Sequence, residues 1–209
     1  MRRIAICVVA LFLLLLPTSA QGQVTFTVTG GPNIATWVWP ERADRRESWS
    51  WHGGALGLAA GVPIVGNWGV QLGIGLSQKG WHGEGTCAAG WETFACEWGK
   101  WITYAESTVL ADRRVQLSNR FRLHLLAGPA LGYQWDPQPQ VAARFDFGIA
   151  GGARLDTRIR GGLGLSVGAL YTHGLKNVHS MDVIEEWKKW YYSKSRTLTL
   201  RTGLSYAIG

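Results

Sequence analysis

Residues 68–77, which read WGVQLGIGLS, decide the fold of this 209-residue chain. Large apolar side chains occupy the even positions from Trp68 to Leu76, and Gly, Gln or Ser occupies each odd position. A period of two is typical of a β-strand with one apolar face, because successive side chains point to opposite sides. About 9–11 tilted residues allow a strand to cross a bilayer. The stretch therefore predicts a membrane-crossing strand.

Seven other segments extend this pattern to eight predicted strands. Their approximate bounds are 24–37, 54–64, 101–112, 120–135, 144–156, 162–171 and 197–208. The segment 101–112 fits least well, because Tyr104–Leu110 has high strand propensity but poor alternation. The predicted fold class is all-β, an eight-stranded antiparallel up-and-down transmembrane β-barrel with apolar side chains toward lipid and a polar, filled interior.

The connections between these strands alternate in length. Those near 65–67, 113–119 and 157–161 are short, whereas those near 39–53, 79–100, 136–141 and 174–195 are mostly longer. Outer-membrane barrels have short periplasmic turns and longer external loops. Loop length is independent of residue alternation, so the agreement of the two patterns supports a barrel in the bacterial outer membrane.

The first twenty residues predict an export signal. Basic Met1–Arg3 precedes the apolar run Ile4–Leu16, and small residues follow up to Ala20. This order is typical of a secretory signal peptide, and the run is shorter than a membrane-spanning helix requires. We expect residues 1–20 to be removed and 21–209 to form the barrel domain. Without Arg2 and Arg3, the formal net charge of +7 becomes +5.

Charged residues of both signs fall on the predicted inner face. An eight-stranded barrel has room for side chains but not for a wide water column, so buried charges must pair or hold water. The sequence leaves two interpretations open, a structural salt-bridge plug and a narrow ion path or proton relay. The residues concerned are Glu106, Arg122, Arg144, Asp146, Arg154, Asp156 and Arg201.

Two cysteines remain after the signal peptide, and both lie in one polar segment. In an oxidising compartment, Cys87 and Cys96 are expected to form a disulfide that closes this segment. A structural zinc site requires four ligands, and only His82 lies nearby. We therefore predict no metal and no cofactor.

Four short motifs resemble those of a known family. They are GIGLSQKG at 73–80, LAGPALG at 126–132, FGIAGGA at 147–153 and GLSY at 203–206. In this order and spacing, they are similar to the PorT-like members of the OmpA/OmpX-type small outer-membrane β-barrels. Tyr104 and Glu106 match a Tyr-Leu-Glu-Ile-Pro-like strand of such proteins. The resemblance implies an integral outer-membrane protein and implies no reaction.

The favoured function is a non-enzymatic outer-membrane protein with a structural or loop-mediated binding role. The expected partners are outer-membrane lipid and lipopolysaccharide, with a possible periplasmic or extracellular protein; scattered basic residues argue against nucleic acid. Residues 182–195 are amphipathic and could form a surface helix, a simple loop or an extension of the seventh and eighth strands beyond the bilayer. Tryptophans near the predicted strand ends could form an interfacial belt or a binding surface, and they are Trp37, Trp39, Trp49, Trp51, Trp81, Trp91, Trp98 and Trp101.

Three alternatives belong to other classes. A lipid-modifying enzyme needs a Ser–His pair with an orienting acid, for which the candidates are Ser77, His82, His124, His173 and Glu106. A narrow pore would use the interior charges. A soluble lipocalin-like carrier would reverse the pattern and place the large apolar side chains inside.

Overall fold

Eight β-strands dominate the computed structural model, which describes residues 23–38, 49–89, 92–135, 145–175 and 194–208. They form a closed antiparallel barrel in which each strand pairs with the next and β1 pairs with β8. Within the described ranges, no helix is long and apolar enough to cross a membrane. The strands are β1 (Val24–Val38), β2 (Trp49–Val65), β3 (Trp68–Ala89), β4 (Glu92–Gln116), β5 (Phe121–Gln134), β6 (Phe145–Arg160), β7 (Leu163–Gly174) and β8 (Lys194–Ile208).

The two faces of the barrel wall alternate, which confirms the predicted fold class. In β6, Phe145, Phe147 and Ile149 are exposed, whereas the residues between them are buried. In the deciding stretch, Ile74 is 65% exposed and Gln71 is 3% exposed. The apolar face therefore points outward on strands long enough to cross a bilayer, opposite to the arrangement that a soluble carrier requires.

Three tight connections join neighbouring strands at one end of the barrel. Gly66 follows β2 with a φ of 54°, and Gly161 and Gly162 join β6 to β7 with φ values of 57° and 85°. Two successive positive φ angles are typical of a type I′ hairpin turn, which Gly adopts without strain. The third connection spans residues 117–120, where the Ser118 hydroxyl accepts the backbone N–H of Phe121 at 3.2 Å. Short turns and the start of β1 mark this end as periplasmic.

Strands β3 and β4 are much longer than predicted. They pair with each other from Trp68↔Arg113 to Ala89↔Glu92, so the predicted loop 79–100 and the strand bounds 101–112 are wrong. The two strands supply each other's backbone hydrogen bonds, and such pairing outside the bilayer needs no apolar alternation. Asp112, at the end of the predicted strand 101–112, and Arg114, in the predicted connection 113–119, both lie within β4.

Glycines on the inner face allow the strands to approach closely. A Cβ added to Gly168 would lie 2.6 Å from the carbonyl oxygen of Ala153 and 3.1 Å from the Cβ of Arg154. A Cβ added to Gly203 would overlap the carbonyl oxygen of Val28, across the β1–β8 pairing that closes the barrel. These positions therefore have no room for a side chain.

Candidate functional site

The external half of the lumen contains a buried charge cluster formed by Lys79, Glu106, Asp146 and Ser195, here called the external cluster. The Lys79 ammonium Nζ lies 2.7 Å from Glu106 Oε1 and 3.4 Å from Asp146 Oδ2. The Ser195 hydroxyl donates to the same Asp146 oxygen at 2.7 Å. The Tyr104 ring centroid is 4.9 Å from Nζ, within cation–π range. One cation from β3 thus links carboxylates on β4 and β6.

A hydrogen-bond network of neutral groups lies beside the external cluster. The Asn33 side-chain amide donates to the Ser77 hydroxyl at 2.7 Å and to the Gln78 carbonyl at 3.0 Å. The Thr199 hydroxyl donates to Asn33 Oδ1 at 3.4 Å. This network connects β1, β3 and β8, so polar contacts run along one arc of the wall, from β8 through β1 to β3.

The periplasmic half contains a second cluster, formed by Asp112, Arg114, His124, Arg154 and Asp156 and here called the periplasmic cluster. His124 lies between two carboxylates, with Nδ1 2.8 Å from Asp112 Oδ1 and Nε2 3.2 Å from Asp156 Oδ2. Arg114 Nε is 3.1 Å from Asp112 Oδ2, and Arg154 Nε is 2.9 Å from Asp156 Oδ1. Each carboxylate therefore faces two partners, which compensates for its removal from water.

An apolar group with members on four strands, β4 to β7, separates these clusters. Leu110 lies between Glu106 and Asp112 on β4, and Ala150 lies between Asp146 and Arg154 on β6. The group packs inside the barrel as one cluster, although the sequence predicted a polar inner face. Its members are Leu110, Leu126, Ala130, Ala150 and Leu170.

A cavity of about 50 Å³ adjoins the apolar group, and Leu126 and Leu170 are among its lining residues. Gln71, Glu106, Arg154 and Arg201 also line it, and the Arg154 guanidinium donates through Nη1 to Gln71 Oε1. A cavity of this size with polar groups on part of its lining suits ordered water rather than an open column.

The sequence-predicted interior charges have different environments. Glu106, Asp146, Arg154 and Asp156 belong to the two clusters, and Arg201 lines the cavity. Arg122 is half-buried at the periplasmic mouth, where its Nε donates to Gln116 Oε1 at 3.1 Å. Arg144 lies outside the described residues, as do residues 182–193 of the amphipathic segment and the side chains of all eight loop tryptophans.

The predicted disulfide remains a prediction. The backbone register places Cys87 opposite Phe94 and Cys96 opposite Gly85, so the two cysteines share one face of the β3–β4 pair in a diagonal relationship. Diagonal Cα atoms are about 7–8 Å apart, slightly beyond the usual range for a disulfide. Bond formation would therefore require a small local shift of the pairing.

The residues suggested for a lipid-modifying enzyme are not brought together. Ser77 accepts a hydrogen bond from Asn33 in the external half, whereas His124 lies between two aspartates in the periplasmic half. His173 lies on β7, and the side chain of His82 is outside the described residues. Among described side chains, no group of three His, Cys, Asp or Glu residues is arranged to hold a metal ion.

Sequence reasoning missed Lys79 and Asp112 as lumen residues, because Lys79 was assigned to a connection and Asp112 to the boundary between a poorly alternating strand and the next turn. Within each strand, residues of one parity (odd or even numbers) face inward, and this alternation indicated the lumen side chains. Lys79 has the same parity as Gln71 and Ser77, which face inward, and Asp112 has the same parity as Tyr104 and Glu106. Extending the predicted strands by a few residues would have placed both side chains in the lumen.

Comparison with known proteins agrees with this architecture. Residues 19–180 match the model of a family described as an outer membrane protein beta-barrel domain. A major outer membrane protein from Thermus thermophilus is 15% identical, with 88% of this chain and 99% of that chain covered and a TM-score of 0.54.

Two other solved structures are similar at lower scores. Neisserial surface protein A is 13% identical, with 87% and 96% of the two chains covered and a TM-score of 0.49. OprG from Pseudomonas aeruginosa is 14% identical, with 90% and 97% covered and a TM-score of 0.47. No curated protein sequence matches the chain. At these identities, the likeness concerns the fold.

Proposed function

Because the chain belongs to the outer membrane protein beta-barrel domain family, and is thus an integral protein of the bacterial outer membrane, we propose a non-enzymatic role in binding. In this proposal, the lumen is a structural plug and the part of the β3–β4 pair that extends beyond its neighbours binds an external partner. We call this part, residues 80–89 and 92–101, the β3–β4 arm. The finer relationship to PorT-like barrels, export by residues 1–20 and contact with lipopolysaccharide are parts of the same proposal.

The binding role depends on one observation, the strand pairing of β3 with β4 beyond the registers that they share with β2 and β5. The register of β2 with β3 ends at Ser77, and the register of β4 with β5 ends at Tyr104. β3 and β4 continue together for another twelve residues of β3, to Ala89↔Glu92. At about 3.4 Å per residue, the ten residues of β3 in the arm span about 34 Å along the strand.

The arm offers two features that suit protein recognition. Both of its outer edges have backbone groups that no neighbouring strand of the described barrel pairs, and such edges accept an added strand. Phe94, near the tip, is 51% exposed. An exposed aromatic side chain beside an unpaired edge can supply both specificity and apolar contact.

The ion pairs inside the lumen support the proposal that the lumen is a structural plug. Three carboxylates, on Asp112, Asp146 and Asp156, each face a cationic partner, and the apolar cluster interrupts the polar groups along β4 and β6. A water-filled path is therefore not needed to solvate these charges. Planar-bilayer recording of the purified protein should show no discrete conductance steps, and a steady, ion-selective conductance would contradict this part of the proposal.

Photo-crosslinking in living cells tests the binding role. A benzoylphenylalanine at Phe94 should form adducts that protease added outside the cells removes. The same probe at Leu117, which is 58% exposed at the periplasmic end, serves as the matched control and should not form those adducts. Adducts from Leu117 alone, or from neither position, would contradict binding by the arm.

A further inference from the structure

The periplasmic end of the barrel is strongly basic on one side. The ends of β4, β5 and β6 and the turn between β4 and β5 contain Arg113, Arg114, Arg120, Arg122, Arg158 and Arg160. At the same end, residues 63–68, 161–165 and 205–208 contain no charged residue. The cationic excess of the chain is thus concentrated on one sector of the periplasmic rim.

The nearby carboxylates are already engaged. Asp112 is bound by His124 and Arg114, and Asp156 is bound by His124 and Arg154. Among described residues, Arg120, Arg122 and Arg158 form no salt bridge. Three guanidinium groups at the mouth therefore lack a direct anionic partner from the described part of the chain.

These three arginines line one cavity of about 100 Å³, together with Gln116, Asn119 and Thr157. His124 and Asp156 also line it, and the Asp156 carboxylate is paired with His124 and Arg154. The bond from Arg122 Nε to Gln116 Oε1 orients the guanidinium. The backbone N–H of Arg158 donates to the carbonyl of Arg120 at 3.0 Å. This bond fixes the spacing between β5, which carries Arg122, and β6, which carries Arg158. Arg114 and Arg158 place positive charge near Arg122, and the carboxylates of Asp156 and Asp112 partly offset it.

We propose that this mouth binds a phosphate group. The planar guanidinium presents paired N–H donors that match phosphate oxygens, and a bound dianion or monoanion would compensate positive charge that the nearby aspartates leave unneutralised. The cavity is small enough for a single anionic group and is bordered by amide and hydroxyl side chains that can complete its hydrogen bonds. This site is at the opposite end of the barrel from the β3–β4 arm and does not depend on it.

Two sources could supply the phosphate, a phospholipid headgroup of the inner leaflet or a soluble periplasmic phosphate. Exposed Phe121, Ile159 and Leu163 surround the mouth on the outer wall, where acyl chains would lie. The chemistry at the guanidinium groups is the same for both sources, so the experiment has to separate them.

Calorimetric titration of the whole barrel with inorganic phosphate, in a phosphate-free maltoside detergent, tests the site. Saturable binding is expected, and Arg122→Gln should weaken it about tenfold, the typical effect of losing one charge-assisted hydrogen bond. Arg122→Lys keeps the charge but loses the paired guanidinium N–H donors. Its affinity for phosphate should lie between those of the unmodified protein and Arg122→Gln. Arg196→Gln, which removes the same charge at the external end of β8, is the matched control and should bind like the unmodified protein.

A second arm uses native mass spectrometry with short-chain phosphatidylglycerol and phosphatidylcholine. Arg122-dependent retention of phosphatidylglycerol identifies a lipid source, whereas Arg122-dependent binding of inorganic phosphate alone identifies a soluble one. The proposal is overturned if neither probe saturates, or if Arg196→Gln or Arg113→Gln weakens binding as much as Arg122→Gln. Heat-dependent gel mobility of each variant establishes that the barrel has folded.

Discussion

Lys79 Nζ and Glu106 Oε1 lie 2.7 Å apart inside the barrel, where the Lys79 side chain is only 3% exposed. The same ammonium group reaches Asp146 Oδ2, so one lysine near the middle of β3 neutralises acids on two other strands. A charge in this position must be paired, because an isolated ion in a low-dielectric interior is costly. This link accounts for the tolerance of three ionised side chains in a narrow lumen.

Lys79→Met should strongly destabilise the barrel. The substitution leaves Glu106 and Asp146 without their common cation, and breaking a buried pair in this way costs about 3–5 kcal/mol. Urea unfolding of the protein refolded into lipid vesicles measures the change. Lys194→Met, at the external end of β8, is the matched control and should change the free energy of unfolding by less than about 1 kcal/mol. Equal losses for both variants would contradict the importance of the link.

His124→Leu should cost less than Lys79→Met. Asp112 keeps Arg114 and Asp156 keeps Arg154 after the imidazole is lost, so we expect a loss of about 1–3 kcal/mol from the missing hydrogen bonds. The same vesicle assay measures it, with His173→Leu on β7 as the control. A loss larger than that of Lys79→Met would mean that the arginines do not compensate the two aspartates.

Gly203→Ala and Gly61→Ala should have opposite effects. The new Cβ at residue 203 would overlap the Val28 carbonyl oxygen, whereas at residue 61 its nearest neighbour would be the Thr25 carbonyl oxygen at 3.7 Å. We expect overpacking to cost about 1–3 kcal/mol or more at residue 203. Gly61→Ala should be neutral or stabilising by up to about 1 kcal/mol, since Ala is the better strand residue. Similar unfolding free energies for the two variants would contradict the described packing at the β1–β8 pairing.

Ile74→Arg should impair insertion much more than Ile64→Arg. Both side chains point outward, with exposures of 65% and 63%, but Ile74 lies near the middle of the membrane-crossing part of β3 and Ile64 lies beside the periplasmic turn. A lipid-facing Arg costs about 2–4 kcal/mol at the midplane and about 0–1 kcal/mol near an interface. Folding yield into vesicles, read by gel mobility, checks the difference. Equal yields would be inconsistent with lipid contact at residue 74.

Strand number and face orientation were predictable because lipid selects one side of every strand. Phe147 and Ile149 on β6, like Ile74 and Leu76 on β3, lie on the lipid-facing side, so the period of two appears in the sequence. Strand length was not predictable beyond the bilayer, where lipid no longer selects apolar side chains on one face. Gly80 to Ala89 pair with β4 outside the bilayer, where backbone hydrogen bonding alone maintains the strand.

The lumen was harder to predict because its contents are set by partners across the barrel. Leu110 faces inward among Leu126 and Leu170, which are distant in sequence, so the alternation of apolar and polar residues fails on β4. Lys79 follows the inward parity, but its role depends on carboxylates 27 and 67 residues away along the chain. Pairings of this kind require the register of several strands, which a single sequence does not provide.

Spin labels on β3 test the central claim, that the apolar face of the wall contacts lipid while the polar face is enclosed. Labels are placed singly at Val70, Leu72, Ile74 and Leu76, and at Gln71 and Ser77, in vesicle-reconstituted protein with Cys87 and Cys96 replaced by Ala. Power saturation should show high accessibility to oxygen at the four even positions and low accessibility at residues 71 and 77. Equal oxygen accessibility at all six positions, or the reverse alternation, would contradict the account.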